Sequence, residues 1–250
     1  MVRSRGGEKE GERRREGSVF NFQHEHRTTD THSLTHSLTH SHTHIHIHTH
    51  SHTHTLSLLP PSLPFQTAGL IHANSGASQV PYLLSKLSDA TAPTVQHGAA
   101  LGLGLAAMGL ARDDVHDALK NALFSDEAVT GEACGFGLGL NMLGTLNSDA
   151  LEMMISYAND TKHEKIIRGL GIGIALIQYN RREQADTYIE RLVKDKDPIL
   201  RAAGCHSVAL AYAGTNNNAV IRKLLHITVT DANDDVRRAA ATALGFVLIR

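Results

Sequence analysis

The sequence has few cysteines, no excess of either charge and no long apolar run. Cys134 and Cys205 are the only cysteines among 250 residues, too few for a disulfide framework. The 24 basic and 25 acidic residues leave a net charge of −1, which argues against general electrostatic binding of nucleic acid or of an anionic membrane. No apolar run reaches the roughly 18 residues that a bilayer span needs, and the charged stretch 1–17 does not resemble a secretory signal. These absences predict a soluble intracellular protein that binds neither nucleic acid nor membrane.

The composition changes sharply along the chain. Of the 18 histidines, 12 lie between His24 and His54, and 17 of the 21 glycines come after residue 66. The stretch 1–17 consists mainly of arginine, glutamate and glycine, so it buries too little apolar surface to offset the entropy lost on ordering. We expect 1–66 to be a disordered low-complexity segment and 67–250 to fold.

Histidine occupies every even position from His40 to His54. In an extended chain these imidazoles would share one face, and imidazole is a common ligand of zinc, copper and nickel. A CA dinucleotide tract in a gene, read as the alternating codons CAC and ACA, also encodes alternating histidine and threonine. The tract also lacks the carboxylates and fixed turns that support metal ligands in built sites. We favour a translated dinucleotide repeat and assign no metal or cofactor, with metal binding as the alternative.

Three sets of positions after residue 66 repeat with a period of 34–36 residues, which is typical of helical solenoids. A small residue between aliphatic ones recurs at Gly69, Gly104, Gly139, Ala175, Ala209 and Gly245. Five residues later come types that tolerate left-handed backbone at a helix end: Asn74, Gly109, Gly144, Asn180 and Gly214. The next segment opens at Val80, Val115, Ala150, Ala185 and Ala219.

Each unit is predicted to contain two helices. The first is rich in glycine and aliphatic residues, as in 97–108, and the second is amphipathic at i, i+3 and i+4 spacing, as in Val115, Ala118 and Leu119. No stretch shows the two-residue alternation of a strand. The sequence therefore predicts an all-α solenoid of about five helical-hairpin units and the start of a sixth.

Glycines four residues apart form a smooth stripe on several first helices. Each costs the helix about 1 kcal/mol relative to alanine, so close packing of neighbouring backbones is expected to offset that cost. The spacing also occurs where membrane helices pair, but here the runs are short and charged helices separate them. The pairs are Gly98 and Gly102, Gly135 and Gly139, and Gly169 and Gly173.

The sequence offers no catalytic motif. The glycine runs 135–139 and 169–173 lack the third glycine of a dinucleotide-binding turn and follow no predicted strand. Phosphate-loop, zinc-protease and serine-hydrolase motifs are missing as well. We therefore predict no catalytic, cofactor-binding or metal-binding residue, since no partner is identifiable for the isolated histidines His97, His163, His206 and His226.

The stretch 97–109, HGAALGLGLAAMG, resembles the proteasome/cyclosome repeat, and the resemblance runs from about residue 67 to residue 250. It is strengthened by four further stretches: 126–133, 163–169, 196–201 and 234–240. Membership of that family implies helical hairpins that form part of a toroid.

The resemblance also implies a function. It indicates a non-catalytic scaffold in the base of the proteasome regulatory particle, supporting ubiquitin-dependent protein degradation in the cytoplasm and nucleus. The implied partners are the ATPase ring and lid subunits. The alternative within the same class is a scaffold of another large complex with this repeat, such as the anaphase-promoting complex.

Overall fold

The computed structural model describes residues 60–73 and 78–249, and these ranges are helical with short connections. They contain one short 3₁₀-helix, Arg182–Ala185, and eleven α-helices, which confirms the predicted all-α fold. The helices are α1 Leu63–Ile71, α2 Val80–Asp89, α3 Pro93–Ala106, α4 Asp113–Leu123, α5 Ala128–Asn141, α6 Ser148–Asp160, α7 Glu164–Ile177, α8 Asp186–Val193, α9 Pro198–Ala211, α10 Asn218–Thr230 and α11 Asp234–Leu248.

The first helix begins earlier than the sequence predicted. α1 starts at Leu63, so the predicted boundary between 66 and 67 falls inside this helix. Pro64 stands in its first turn, where a fixed φ suits the helix and the missing N–H has no intrahelical partner to lose. Residues 1–59, including the histidine tract, and Asn74 lie outside the described residues.

The helices form two layers. The first helices of the units, α1, α3, α5, α7, α9 and α11, lie side by side in chain order. Each second helix packs chiefly against the first helix of the following unit, so α4 lies on α5 and α8 lies on α9. Contacts between second helices are sparse among the described residues.

The core lies between the two layers and divides into two clusters. The amphipathic pattern of α4 places Val115, Leu119 and Leu123 inside, as the sequence predicted for this helix. One cluster is built from α2 to α7 and also includes Leu192 and Leu200. The other contains residues of α8 to α11 with Ala185 from the preceding turn. The boundary between the clusters therefore runs through α8 and α9, each of which contributes residues to both.

Candidate functional site

The small residues of the first set of repeat positions, here called the anchors, all lie on first helices. They are Gly69, Gly104, Gly139, Ala175, Ala209 and Gly245. A methyl group at Gly69 would lie 2.5 Å from Cα of Gly102, and one at Gly104 would lie 2.5 Å from Cα of Gly137. At Gly139 the added methyl would meet the backbone of Gly173. The remaining anchors differ in their surroundings, since Ala175 and Ala209 are buried whereas Gly245 has no atom near its missing side chain.

The glycine stripe holds neighbouring chain segments in backbone contact. At each of its glycines, a methyl group would approach backbone atoms of the adjacent segment more closely than 3.0 Å, a separation that real Cβ atoms essentially never show. Only a residue without a side chain fits there, which confirms the predicted close packing. The glycines are Gly98, Gly102, Gly135, Gly139, Gly169 and Gly173.

The turns after the first helices have left-handed backbone at the second set of repeat positions. The φ angles are 71° at Gly109, 64° at Gly144, 58° at Asn180 and 68° at Gly214. Glycine and asparagine are the residues that adopt such angles at least cost. The sequence therefore located these turns from residue type alone.

Each of these turns also donates a hydrogen bond to the next unit. The backbone N–H groups of Gly109, Gly144, Asn180 and Gly214 donate over 2.9, 3.0, 3.1 and 2.9 Å to carbonyl oxygens near the ends of α5, α7, α9 and α11. Two residues further on, Ala111, Leu146 and Asn216 donate in the same way. The last carbonyls of a helix lack intrahelical donors, so every turn caps the following first helix. The residue types in these turns did not predict these hydrogen bonds.

The sequence analysis did not predict the buried polar side chains of Asn141 and Gln178. Asn141 is fully buried, and its amide exchanges two hydrogen bonds, of 3.1 and 3.0 Å, with the backbone of Arg112. Gln178 is also fully buried and donates to Ser207 Oγ over 3.1 Å. Buried amides need such partners. Their signal in the sequence is an amide at the end of an otherwise apolar run.

Aspartates link successive loops at the opposite edge of the stack. Asp126 accepts hydrogen bonds from Tyr157 Oη over 2.8 Å and from Thr161 Oγ1 over 2.9 Å, and the bond from Tyr157 is the main cause of its lowered pKa. Asp231 accepts two bonds from the guanidinium of Arg201, over 2.8 and 3.0 Å, which lower the pKa of that carboxyl. These carboxylates position loops.

An apolar row crosses the first helices on the side that faces solvent. The residue after each anchor is apolar, and Leu70 and Phe246 at the two ends are 62% and 45% exposed. The four between them are half-buried. Exposed apolar patches mark protein-binding surfaces. The sequence analysis missed this row, although its period is that of the anchors: Leu70, Leu105, Leu140, Leu176, Leu210 and Phe246.

Both cysteines are buried, and His163 lies beside an aspartate at the surface. Burial raises the pKa of both Cys134 and Cys205 to about 12, so both stay protonated thiols. His163 Nε2 lies 3.7 Å from Asp126 Oδ2 at an exposed loop. Within the described ranges no cluster of three metal-ligating side chains occurs. None of the described helices is long and apolar enough to cross a membrane.

Comparison with curated proteins matches most of the chain to one kind of protein. The chain is 55% identical over 182 residues to "26S proteasome non-ATPase regulatory subunit 1" of Drosophila melanogaster. It is 53% identical over 180 residues to "26S proteasome non-ATPase regulatory subunit 1 homolog B" of Arabidopsis thaliana. This stretch of the chain is homologous to proteasome regulatory subunit 1. A third relative, "26S proteasome regulatory subunit rpn2" of Schizosaccharomyces pombe, is 50% identical over 186 residues.

The matches to proteasome regulatory subunit 1 cover unequal shares of the two chains. They include 73%, 72% and 74% of this chain but only 18%, 18% and 19% of the three relatives. The chain therefore spans about a fifth of the length of the curated relatives it matches. No protein-family model matches the chain.

Proposed function

We propose that the chain acts as a non-catalytic scaffold in the base of the proteasome regulatory particle, supporting ubiquitin-dependent protein degradation in the cytoplasm and nucleus. The observation that carries this proposal is 55% identity over 182 residues to a proteasome non-ATPase regulatory subunit. The proposed partners are the ATPase ring and lid subunits.

The geometry supports a scaffold. Helical units that contact only their neighbours along the chain produce an extended surface. The apolar row adds partly exposed apolar side chains, which suit contact with other proteins. The buried thiols have pKa values of about 12, which suits a structural role better than a nucleophilic one.

A chimera tests the proposal. In the Drosophila melanogaster subunit, the homologous stretch is replaced by the repeat region of this chain. We expect the chimera to assemble into the regulatory particle, as measured by native gel electrophoresis and mass spectrometry of the purified complex. In the chimera, this chain replaces the 18% of the relative that it matches. Its own residues must then make the contacts with the other subunits of the regulatory particle.

Two leucine substitutions serve as matched controls in the chimera. Gly139→Leu places a side chain against the backbone of Gly173 and should abolish assembly. Asn121→Leu adds the same side chain at an exposed position of α4 and should leave assembly intact. A folded chimera that does not join the ATPase subunits would contradict the proposed function.

A further inference from the structure

A cleft lies between α2 and α4, near the C-terminal ends of both helices. Its volume is about 380 Å³, whereas a protein cavity of about 150 Å³ already holds a benzene molecule. Its apolar walls are the side chains of Leu84, Leu87, Ala118 and Ala122, which belong to the first core cluster or pack against it. The cleft is therefore large enough for one aromatic side chain.

The lining of this cleft carries no charge. None of its eight residues is acidic or basic, and Ser88 and Ser125 lie among the polar ones. A charged group placed against apolar walls without an opposite charge loses more solvation free energy than it regains. A lysine, an arginine or an acidic side chain therefore does not suit the cleft, whereas a neutral side chain with one polar atom does.

The space between the next two second helices, α4 and α6, is filled by the chain itself. Tyr157 of α6 reaches to the end of α4, where the centre of its ring lies 5.2 Å from that of Phe124. Its hydroxyl donates to Asp126 Oδ1 over 2.8 Å and lies 3.1 Å from the carbonyl oxygen of Leu123. A phenol side chain thus joins these two helices.

The cleft lies where the repeat would place the same ring one unit earlier. Ala122 comes 35 residues before Tyr157, and Ser88 comes 35 residues before Leu123. Both Ala122 and Ser88 line the cleft. Although α2 and α4 approach each other more closely than α4 and α6 do, the cleft remains open between their ends. Alanine therefore stands where the next unit has the tyrosine that fills the gap.

The chain has no other tyrosine to supply this ring. Residues 1–59 contain none, and no tyrosine is among the residues that line the cleft. Two of the five, Tyr157 and Tyr212, donate hydrogen bonds to aspartates elsewhere in the stack. A tyrosine that enters the cleft must therefore come from another molecule.

We propose that the cleft between α2 and α4 binds a tyrosine side chain presented by a partner protein. The ring packs on Leu84, Leu87 and Ala122 and extends the core. The hydroxyl donates to the carbonyl of Ser88, which lies in the last turn of α2 and has no intrahelical donor. The inference is separate from the proposed function, because tyrosine binding is measured on the chain alone and assembly is measured on the chimera.

Titration of the 250-residue chain with N-acetyl-L-tyrosinamide tests the cleft. The leucine methyl groups carry ¹³C, so a bound ring shifts the nuclear magnetic resonance signals of Leu84 and Leu87, which line the cleft. We expect saturable shifts of these two signals, whereas the signals of Leu170, buried on α7, should stay in place. N-acetyl-L-phenylalaninamide lacks the hydroxyl and should bind about two- to tenfold more weakly, the net effect of one hydrogen bond.

Two tyrosine substitutions complete the test. Ala122→Tyr places the ring in the cleft from within, so it should shift the signals of Leu84 and Leu87 without any added amide and abolish binding of N-acetyl-L-tyrosinamide. Ala232→Tyr makes the same substitution at an exposed position far along the chain and should bind the amide as the parent chain does. Circular dichroism verifies that both variants keep their helices.

The titration of the parent chain decides the inference even where Ala122→Tyr does not fold. Absence of saturable shifts at Leu84 and Leu87 would overturn it. Equal affinity for the two amides would overturn the choice of tyrosine. Binding that persists unchanged in a folded Ala122→Tyr chain would show that the amide occupies a different place.

Discussion

Two regions of the same stack are held together differently. In the glycine region, 63–177, neighbouring first helices meet through main-chain atoms at glycines such as Gly104 and Gly139. In the alanine region, 186–248, the corresponding contacts are made by small side chains, among them Ala209, Ala240 and Ala243. The repeat period is the same in both. The two regions therefore place different residue types at these contacts within one repeat pattern.

The comparison explains why glycine persists in helices where it is intrinsically unfavourable. Each glycine costs about 1 kcal/mol relative to alanine, yet alanine at Gly139 would collide with the backbone of Gly173. Gly245 occupies the equivalent position on α11, but no atom lies within 4 Å of its missing side chain. Glycine is therefore required at Gly139, where α7 lies against it, whereas α11 is the last described helix and no following helix lies against Gly245.

The largest effect is expected from Gly139→Leu in the glycine region. Its side chain meets main-chain atoms that cannot rotate away, so we expect a loss of more than about 3 kcal/mol, the upper end of ordinary overpacking. Chemical denaturation followed by circular dichroism measures the loss. A variant as stable as the parent chain would show that α5 and α7 are not in backbone contact.

Asp231→Asn, in the alanine region, should lower the free energy of unfolding by less than Gly139→Leu does. The carboxylate accepts two bonds from Arg201, and we expect a loss of about 1.5–3 kcal/mol at pH 7, as for hydrogen bonds to charged groups. Arg201 lowers the pKa of Asp231 in the folded state, so this stabilisation is present above the unfolded pKa of about 3.9 and disappears as pH falls through the folded pKa.

Denaturation of both chains from pH 7 down to pH 2 measures that dependence. The difference in stability between the parent chain and Asp231→Asn should shrink toward acid. A difference that stays constant over the whole range would mean that the charge of Asp231 contributes nothing.

A smaller effect is expected from Gly171→Ala, where α7 faces α9. The added methyl meets the methyl of Ala203 rather than a backbone, so a loss of about 1 kcal/mol is expected, the lower end of overpacking. In the double variant Gly171→Ala with Ala203→Gly, the methyl group changes sides, and most of the loss should be recovered. Denaturation of the single and double variants gives the coupling free energy between positions 171 and 203. Additive losses would show that the two positions do not touch.

The sequence predicted the fold well because the repeat is redundant. Three positions per unit carry the same period, and the left-handed turns at Gly109, Gly144 and Gly214 follow from residue type. The backbone contacts were also foreseen, since glycines four residues apart in a helix need a packing reason.

Other features depend on three-dimensional neighbours and had no local signal. The turns donate to carbonyls about 30 residues away, a relationship that residue type does not encode. The partner of Asn141 is the main chain of Arg112, which any residue except proline could supply. The effect of alanine at Gly139 has no local signal either, because helix propensity and crowding oppose each other there.

The most direct test of the account is alanine at two equivalent anchors, Gly139 and Gly245, in the 250-residue chain. Free energies of unfolding from denaturant titration give the effect of each substitution. Gly139→Ala should destabilise, because its methyl meets the backbone of Gly173. Gly245→Ala should stabilise by about 0.5–1 kcal/mol, because only helix propensity changes where the space is open. Effects of the same sign at both positions would contradict the claim that backbone contact, rather than the repeat pattern alone, requires glycine.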